Sequence, residues 1–319
     1  MKIVFMEADT LGNDVDLSCF DSLGEIVKYA ATSPAENAVR IKDADVVVAN
    51  KIQMNEELLK DCTNLKLICL TATGTNNIDF EYTAKRGIAV ANVKGYSTQS
   101  VVQHTFALLF YLFEKMRYYD EFVKSGQYIE SDVFSHFDMK FNELSGKTYG
   151  IIGLGEIGRS VAAVAKLFGC HVIYYSTSGK NDNSDYERVS FEELLKQSDI
   201  VSIHAPLNKA TENLIDEKAL SLMKKSAFLL NLGRGPIVNE KALADALKAG
   251  LIAGAGLDVL VKEPMAADNP LFEIKDSSRL VITPHIAWAT VEARQRCANE
   301  VCENIKAFFE GKERNIVIG

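Results

Sequence analysis

Short apolar runs alternate with charge-bearing stretches along almost the whole chain. Lys2–Ala8 (KIVFMEA), Ala44–Asn50, Leu65–Ala72 and Gly87–Val93 read as strands, the third continuous enough to be buried on both faces. Between them charges recur at helical spacing, as where Glu56, Glu57, Lys60 and Asp61 surround Leu58 and Leu59. Such alternation predicts a parallel sheet with helices on both faces. Val101–Lys115 is too long and too apolar to be anything but a buried helix, with Tyr96-Ser97-Thr98 as its start and His104 a packed residue within it. The rhythm then breaks. Arg117–Lys147 is mixed in charge, and Tyr128, Phe134, Phe137 and Phe141 fall at irregular spacing, which predicts an arm that contacts a partner.

Past the arm the alternation resumes. Strands are predicted at Thr148–Ile152, His171–Tyr175, Asp199–Ala205, Ala227–Leu232, Ile252–Val259 and Leu280–Thr283. Helices are predicted at Lys218–Met223, at Glu240–Ala249 with Gly250 as its stop, and at Val291–Glu310. There is no short-period repeat. Two α/β units of unequal size follow, with the cut near Gly95. Ligands bind beyond the carboxyl ends of strands in such sheets, so the loop Thr73-Gly74-Thr75-Asn76-Asn77 is a candidate ligand-facing edge.

Composition narrows the class. A chain of 319 residues, 47% hydrophobic and 24% charged, fits a soluble globular protein with room for two domains. A net charge of −8 argues against nucleic acid or an anionic membrane as partner. The apolar start is interrupted by Glu7 and Asp9, too early for a signal-peptide core, and Phe106–Phe113 is far too short to span a bilayer. The 6 cysteines are scattered, several of them inside apolar patterns, and imply reduced thiols in a cytoplasmic protein. The histidines are too far apart in sequence to suggest a metal site.

The stretch Thr148–Ser176 carries the first chemistry. A strand runs into Gly153, Gly155 and Gly158, spaced G-x-G-x-x-G, and a helix and a second strand follow. Gly153 permits the tight turn and Gly155 lets the backbone approach a pyrophosphate. Gly158 lets the helix pack on the strand with its free N–H groups aimed at the anion. This spacing predicts dinucleotide binding. Behind it stand Arg234 in NLGRGPIVN, Glu263 in LDVLVKEP and His285 in ITPHIAWAT, each in a Gly- or Pro-containing loop after an apolar strand. A guanidinium, a carboxylate and an imidazole at one sheet edge are what hydride transfer to a 2-oxo acid requires.

With ATGTNNID, VKGYSTQSVVQHTFALL, GLGEIG, HAPLNKAT, NLGRGPIV, GLDVLVKEP and PHIAWAT in this order, the chain resembles the D-isomer-specific 2-hydroxyacid dehydrogenases over its whole length. The resemblance is to their glycerate dehydrogenase/hydroxypyruvate reductase branch. It implies two doubly wound parallel-sheet domains, a Rossmann cofactor domain inserted into a flavodoxin-like substrate domain. Residues 1–98 would form the substrate side and 99–287 the cofactor domain, with a dimerisation arm near 117–147. Residues 288–319 would return to the substrate side.

The resemblance also implies roles. Arg234 would hold the substrate carboxylate, His285 would exchange the proton, and Glu263 would orient the imidazole. Thr73 and Gly74 would complete the carboxylate site through their N–H groups, and Trp288 would wall the pocket. Glu156 and Ile157 would meet the pyrophosphate. Pro206 and Thr211 would border the adenosine, and Leu232, Gly233 and Asp258 the nicotinamide. Where NAD users carry an acidic residue after the second strand, this chain reads Tyr175-Ser176-Thr177-Ser178 with Lys180 shortly after. Hydroxyls of Ser176 and Thr177 and the charge of Lys180 suit a 2′-phosphate, a modest lean towards NADP over NAD.

The expected substrate is a small anionic 2-oxo acid, hydroxypyruvate or glyoxylate, and the expected assembly a homodimer. The alternatives are a D-lactate-type dehydrogenase on the same fold or a dinucleotide-sensing, corepressor-like protein. The acid–base pair speaks against the formate dehydrogenases of the superfamily, which carry glutamine in place of Glu263.

Overall fold

The computed structural model describes residues 1–317, and the last two residues of the expected C-terminal segment lie outside it. The chain divides into two compact units, Met1–Ser97 with the chain from Trp288 onward, and Thr98–Ala287.

The first unit runs β1 (Lys2–Phe5), β2 (Glu25–Lys28), α1 (Pro34–Ile41), β3 (Val46–Ala49), α2 (Glu56–Leu59), β4 (Leu67–Leu70), α3 (Phe80–Lys85) and β5 (Ala89–Ala91). The strands pair in parallel in the order β2-β1-β3-β4-β5. Successive side chains leave opposite faces of a strand. Val4, Val47 and Ile68 therefore pack on one side with Leu59 and Tyr82, and Ile3, Val46 and Leu67 on the other with Phe20. Both layers are closed, which is why β3 and β4 are apolar throughout.

The second unit runs α4 (Thr98–Phe113), α5 (Met116–Lys124), β6 (Thr148–Ile152), α6 (Glu156–Leu167), β7 (His171–Tyr175), β8 (Glu187–Arg188), α7 (Phe191–Gln197), β9 (Ile200–Ile203), α8 (Glu217–Leu222), β10 (Phe228–Asn231), α9 (Glu240–Ala249), β11 (Gly254–Leu257) and β12 (Leu280–Ile282). Its parallel sheet has the order β12-β11-β10-β9-β6-β7-β8. The buried face of α4 and the close-packing α6 cover one side, and α7, α8 and α9 the other. Gly256 on β11 leaves room for Leu108 and Leu112 of α4, where a Cβ would crowd both. The remaining helix, α10 (Val291–Phe309), belongs to the first unit, where Cys297, Val301 and Ile305 complete the layer against Leu67 and Cys69.

Several elements were not predicted, among them α7, which opens on a capping box between Ser190 and Glu193. β2 is a half-exposed edge strand, and β8 has only two residues. α5 forms at the start of the segment expected to be aperiodic. It buries no residue and is laced by the i,i+4 pairs Arg117–Glu121 and Asp120–Lys124. The chain after it folds back on His136, which stacks on Phe122 at 3.7 Å and hydrogen-bonds the Tyr118 hydroxyl at 2.7 Å.

Candidate active site

The switch point of the seven-stranded sheet lies between β6 and β9, whose neighbours run in opposite directions through the strand order. The turn after β6 is built as its spacing predicts. Gly153 has φ +92, a conformation that disfavours side chains, and a Cβ there would press on the Ala205 backbone. A Cβ on Gly158 would collide with the Gly153 carbonyl oxygen, so the start of α6 sits directly on the turn. Gly155 differs, because nothing lies within 4 Å of where its Cβ would be. It is the N-cap of α6, and it has no side chain with which to satisfy the first-turn N–H groups at Glu156 and Ile157. Open space beside unpaired donors at a helix N-terminus fits the pyrophosphate of a dinucleotide. The Glu156 carboxylate is drawn aside, accepting a hydrogen bond from the Thr98 hydroxyl at 2.7 Å.

At the end of β7 the Ser176 side chain is buried, and its oxygen accepts from the Asn181 N–H at 3.3 Å. Thr177 is half-buried and Lys180 exposed. The same loop is gripped by Arg188 of β8, whose guanidinium donates to the Gly179 carbonyl at 3.2 Å. Sequence reading missed Arg188 because a two-residue strand leaves no periodic signal.

After β9, Pro206 is exposed, whereas Thr211 is fully buried. The Thr211 hydroxyl donates to the Pro206 carbonyl at 2.7 Å and accepts from the Asn208 N–H at 2.8 Å. It therefore shapes this loop rather than offering a group at its surface. His204 precedes it. Its Nε2 meets the Ser202 hydroxyl at 3.0 Å, and its buried Nδ1 has no partner among the described residues. Burial pushes this imidazole down to about 4, so it is neutral at physiological pH.

The three chemical side chains come from the loops after β10, β11 and β12, which are adjacent. Buried Asn231, at the end of β10, accepts from the Gly233 N–H and donates to the Arg234 carbonyl at 3.0 Å, fixing the turn that carries Arg234. Leu232 is buried and Gly233 half-buried within that turn. Arg234 is half-buried, with Nη1 donating to the Gly233 carbonyl at 2.8 Å. The next residue, Gly235, is pressed against Leu260, where a Cβ would overlap the Leu260 carbonyl. Leu260 in turn donates its N–H to Glu263 Oε1 at 2.9 Å. Glu263 Oε2 then meets His285 Nδ1 at 2.7 Å.

The loop carrying Glu263 is held by Glu240, at the start of α9. Its two carboxylate oxygens accept from the Val261 N–H at 2.7 Å and from the Asn269 amide at 2.8 Å. A carboxylate can only accept, so the shared proton with Glu263 sits on His285 Nδ1. Nε2 is thereby left as the nitrogen that gains and loses a proton.

Asp258, at the end of β11, is 1% exposed. Its carboxylate accepts from the Thr283 hydroxyl at 2.6 Å and from the N–H groups of Ile286 and Ala287, both at 2.9 Å. Those bonds direct it into the His285 loop, a use that sequence reading missed. Thr73, Gly74 and Trp288 lie in the first unit. The Thr73 hydroxyl donates to the Val93 carbonyl at 2.7 Å, and Trp288 packs edge-on against Tyr96.

Residues 106–287 match the family described as D-isomer specific 2-hydroxyacid dehydrogenase, NAD binding domain. The chain is 36% identical to a hydroxypyruvate reductase of Blautia hydrogenotrophica over 325 residues, covering 99% of each chain. It is also 36% identical to a glycerate dehydrogenase of Methylorubrum extorquens over 317 residues, covering 99% of this chain and 98% of that one. Among solved structures, a D-lactate dehydrogenase from Aquifex aeolicus, complexed with NAD and lactic acid, superposes with a TM-score of 0.85 at 30% identity, covering 99% of each chain.

Proposed function

The chain belongs to the D-isomer-specific 2-hydroxyacid dehydrogenase family, and from that premise we propose that it reduces hydroxypyruvate and glyoxylate to D-glycerate and glycolate, with NADPH preferred to NADH. As a member it is an oxidoreductase that acts on the CH–OH group of small 2-hydroxy acids with a nicotinamide cofactor. The bond between His285 and Glu263 carries the reading, because it makes the imidazole an oriented proton donor.

The bound nicotinamide supplies the hydride in reduction and receives it in oxidation. Arg234 holds the substrate carboxylate with its planar fork of N–H groups, which an ammonium could not match. As C2 gains a hydride, protonated His285 passes the Nε2 proton to the carbonyl oxygen. In oxidation the bare Nε2 takes that proton back from the hydroxyl. Glu263 accepts from Nδ1 throughout, holding the ring orientation. Thr73 and Gly74 are the first unit's candidates for the carboxylate, and Trp288 its candidate for the substrate side chain.

Initial rates with hydroxypyruvate, glyoxylate and pyruvate test the reading, and turnover of pyruvate alone would replace the substrate. His285→Ala should lower kcat/KM by about 10²–10⁴-fold. An unchanged rate would take the histidine out of the mechanism. The cofactor preference is supported by the missing carboxylate after β7 and by two cations, Lys180 in that loop and Arg188 of β8, which reaches it. A higher kcat/KM with NADH than with NADPH would overturn it.

The homodimer is supported by the arm, where Ile129, Phe134 and Phe137 are 86%, 91% and 77% exposed. A strictly monomeric protein in sedimentation would remove it. All 6 cysteines are unpaired thiols, which supports a reducing, cytoplasmic setting. Among the described residues no helix is long and apolar enough to cross a membrane.

A further inference from the structure

His285 sits in backbone strain. Its φ is +56, in the left-handed region that residues with a side chain rarely adopt. Its N–H reaches the Thr283 carbonyl, two residues back, at 3.0 Å. Further restraint comes from Asp258. The Asp258 carbonyl accepts the His285 N–H at 2.8 Å, and its carboxylate holds the next two N–H groups. The Thr283 hydroxyl, two residues before His285, donates to the same carboxylate oxygen as Ile286.

Beyond Thr283 lies His104, in the middle of α4, a residue the proposed mechanism does not use. Its Nε2 is 2.9 Å from the Thr283 oxygen and 3.5 Å from Asp258 Oδ1. The direction of the chain of bonds follows from its end. Asp258 can only accept, so Thr283 must spend its single proton on the carboxylate and accept from His104. His104 therefore carries its proton on Nε2. An imidazole in a helix 179 residues away in sequence from Thr283 is built as the outermost donor of the clamp.

We propose that His104 is a positioning residue for the proton-transfer histidine, acting through Thr283 and Asp258 on the strained loop that carries His285. The proposal rests on His285 being the proton-transfer group. His104 touches neither the reacting atoms nor His285. Its donor polarises the Thr283 hydroxyl and strengthens its bond to a buried carboxylate that must keep several donors in register. Losing that donor should loosen the angle at which Nε2 of His285 is presented and leave the cofactor turn, at the end of β6, as it was.

In the full-length enzyme, His104→Leu should lower kcat by ~10–100-fold, the scale of a small misplacement at a reacting centre, with the KM for nicotinamide cofactor unchanged. His104→Gln should restore most of the rate, because its amide N–H reaches about as far from the helix as imidazole Nε2. Thr283→Val breaks the same chain one link on. The double variant His104→Leu/Thr283→Val should therefore lose no more than the worse single one. A rate for His104→Leu equal to wild type, additive losses in the double variant, or a glutamine variant as slow as the leucine one would overturn the proposal.

A second measurement does not depend on turnover. Long-range ¹H–¹⁵N spectra of histidine-labelled apoprotein, with His104 assigned by its absence in His104→Gln, should show the proton on Nε2. A proton on Nδ1 alone would refute the chain of donors even in an enzyme with no known substrate. Conversely, wild-type protein that turns over no 2-oxo acid but carries the Nε2 proton would sink the proposed function and leave the clamp intact.

Discussion

The two sheets of this chain have the same kind of switch point and treat it in opposite ways. In the first unit the switch falls between β1 and β3. There Glu7, just past β1, lays one carboxylate oxygen against the N–H groups of Asn50, Lys51 and Ile52, at 2.8, 2.9 and 3.3 Å. Three donors converging on one point make an anion site, and the chain fills it with its own anion. In the second unit, at the switch between β6 and β9, no carboxylate among the described residues plays the part of Glu7. Gly155 faces open space, Glu156 is turned away to Thr98, and His204 is kept neutral. Fold alone does not make a dinucleotide site, since one of two similar crevices closes itself. The open one has to be kept free of side chains and of fixed charge.

The hardest way to break this contrast is to close the open crevice. A Gly155→Val substitution fills the space beside the α6 N-terminus, where a Cβ has nothing within 4 Å. It should weaken nicotinamide cofactor binding on the order of 100-fold, about 3 kcal/mol, while the melting temperature stays near wild type. Cofactor titration by fluorescence checks it. Tight binding in that variant would mean that the pyrophosphate does not approach Gly155.

Much of the open crevice was legible in the sequence because its signals are local. The strand, the three glycines and the helix lie in one continuous stretch from Thr148 to Leu167, and α9 was read with its bounds intact from its period and Gly250. Glu7 gave no such signal. Its partners are 43 to 45 residues away, and only the strand order, which periodicity does not encode, brings them together. The same holds for His104 and Thr283, and for Asp258, whose partners lie up to 29 residues on. α5 escaped because its aromatic residues follow contacts to His136 rather than a buried stripe. Local chemistry was readable, and of the polar groups that hold one loop through another only the Glu263–His285 pair was expected, from the family resemblance.

Opening the closed crevice is the smaller experiment. Glu7→Ala leaves three backbone donors without their acceptor and should destabilise the protein by about 2 kcal/mol, read from urea unfolding. Glu7→Gln keeps a carbonyl oxygen in place and should cost less. An alanine variant as stable as wild type would show that solvent serves those donors equally well, and the first crevice could no longer be called self-filled.

The smallest expected effect concerns the neutral imidazole at the open crevice. Burial lowers His204 from an ordinary 6.5 to about 4, so between those values the unfolded chain takes a proton that the folded protein refuses. The sign follows directly. Its contribution to stability is whole above pH 6.5, shrinks as pH falls towards 4, and is constant below. After discounting for its partial contact with solvent the loss is about 1–2 kcal/mol. A His204→Asn variant has no such proton to refuse. Its unfolding free energy should change less than wild type's between those two pH values, although other titrating groups give both a common background. Parallel pH profiles for the two proteins would mean that His204 accepts its proton in place. The open crevice would then carry a positive charge in mild acid, and neutrality would not be what distinguishes it from the crevice that Glu7 fills.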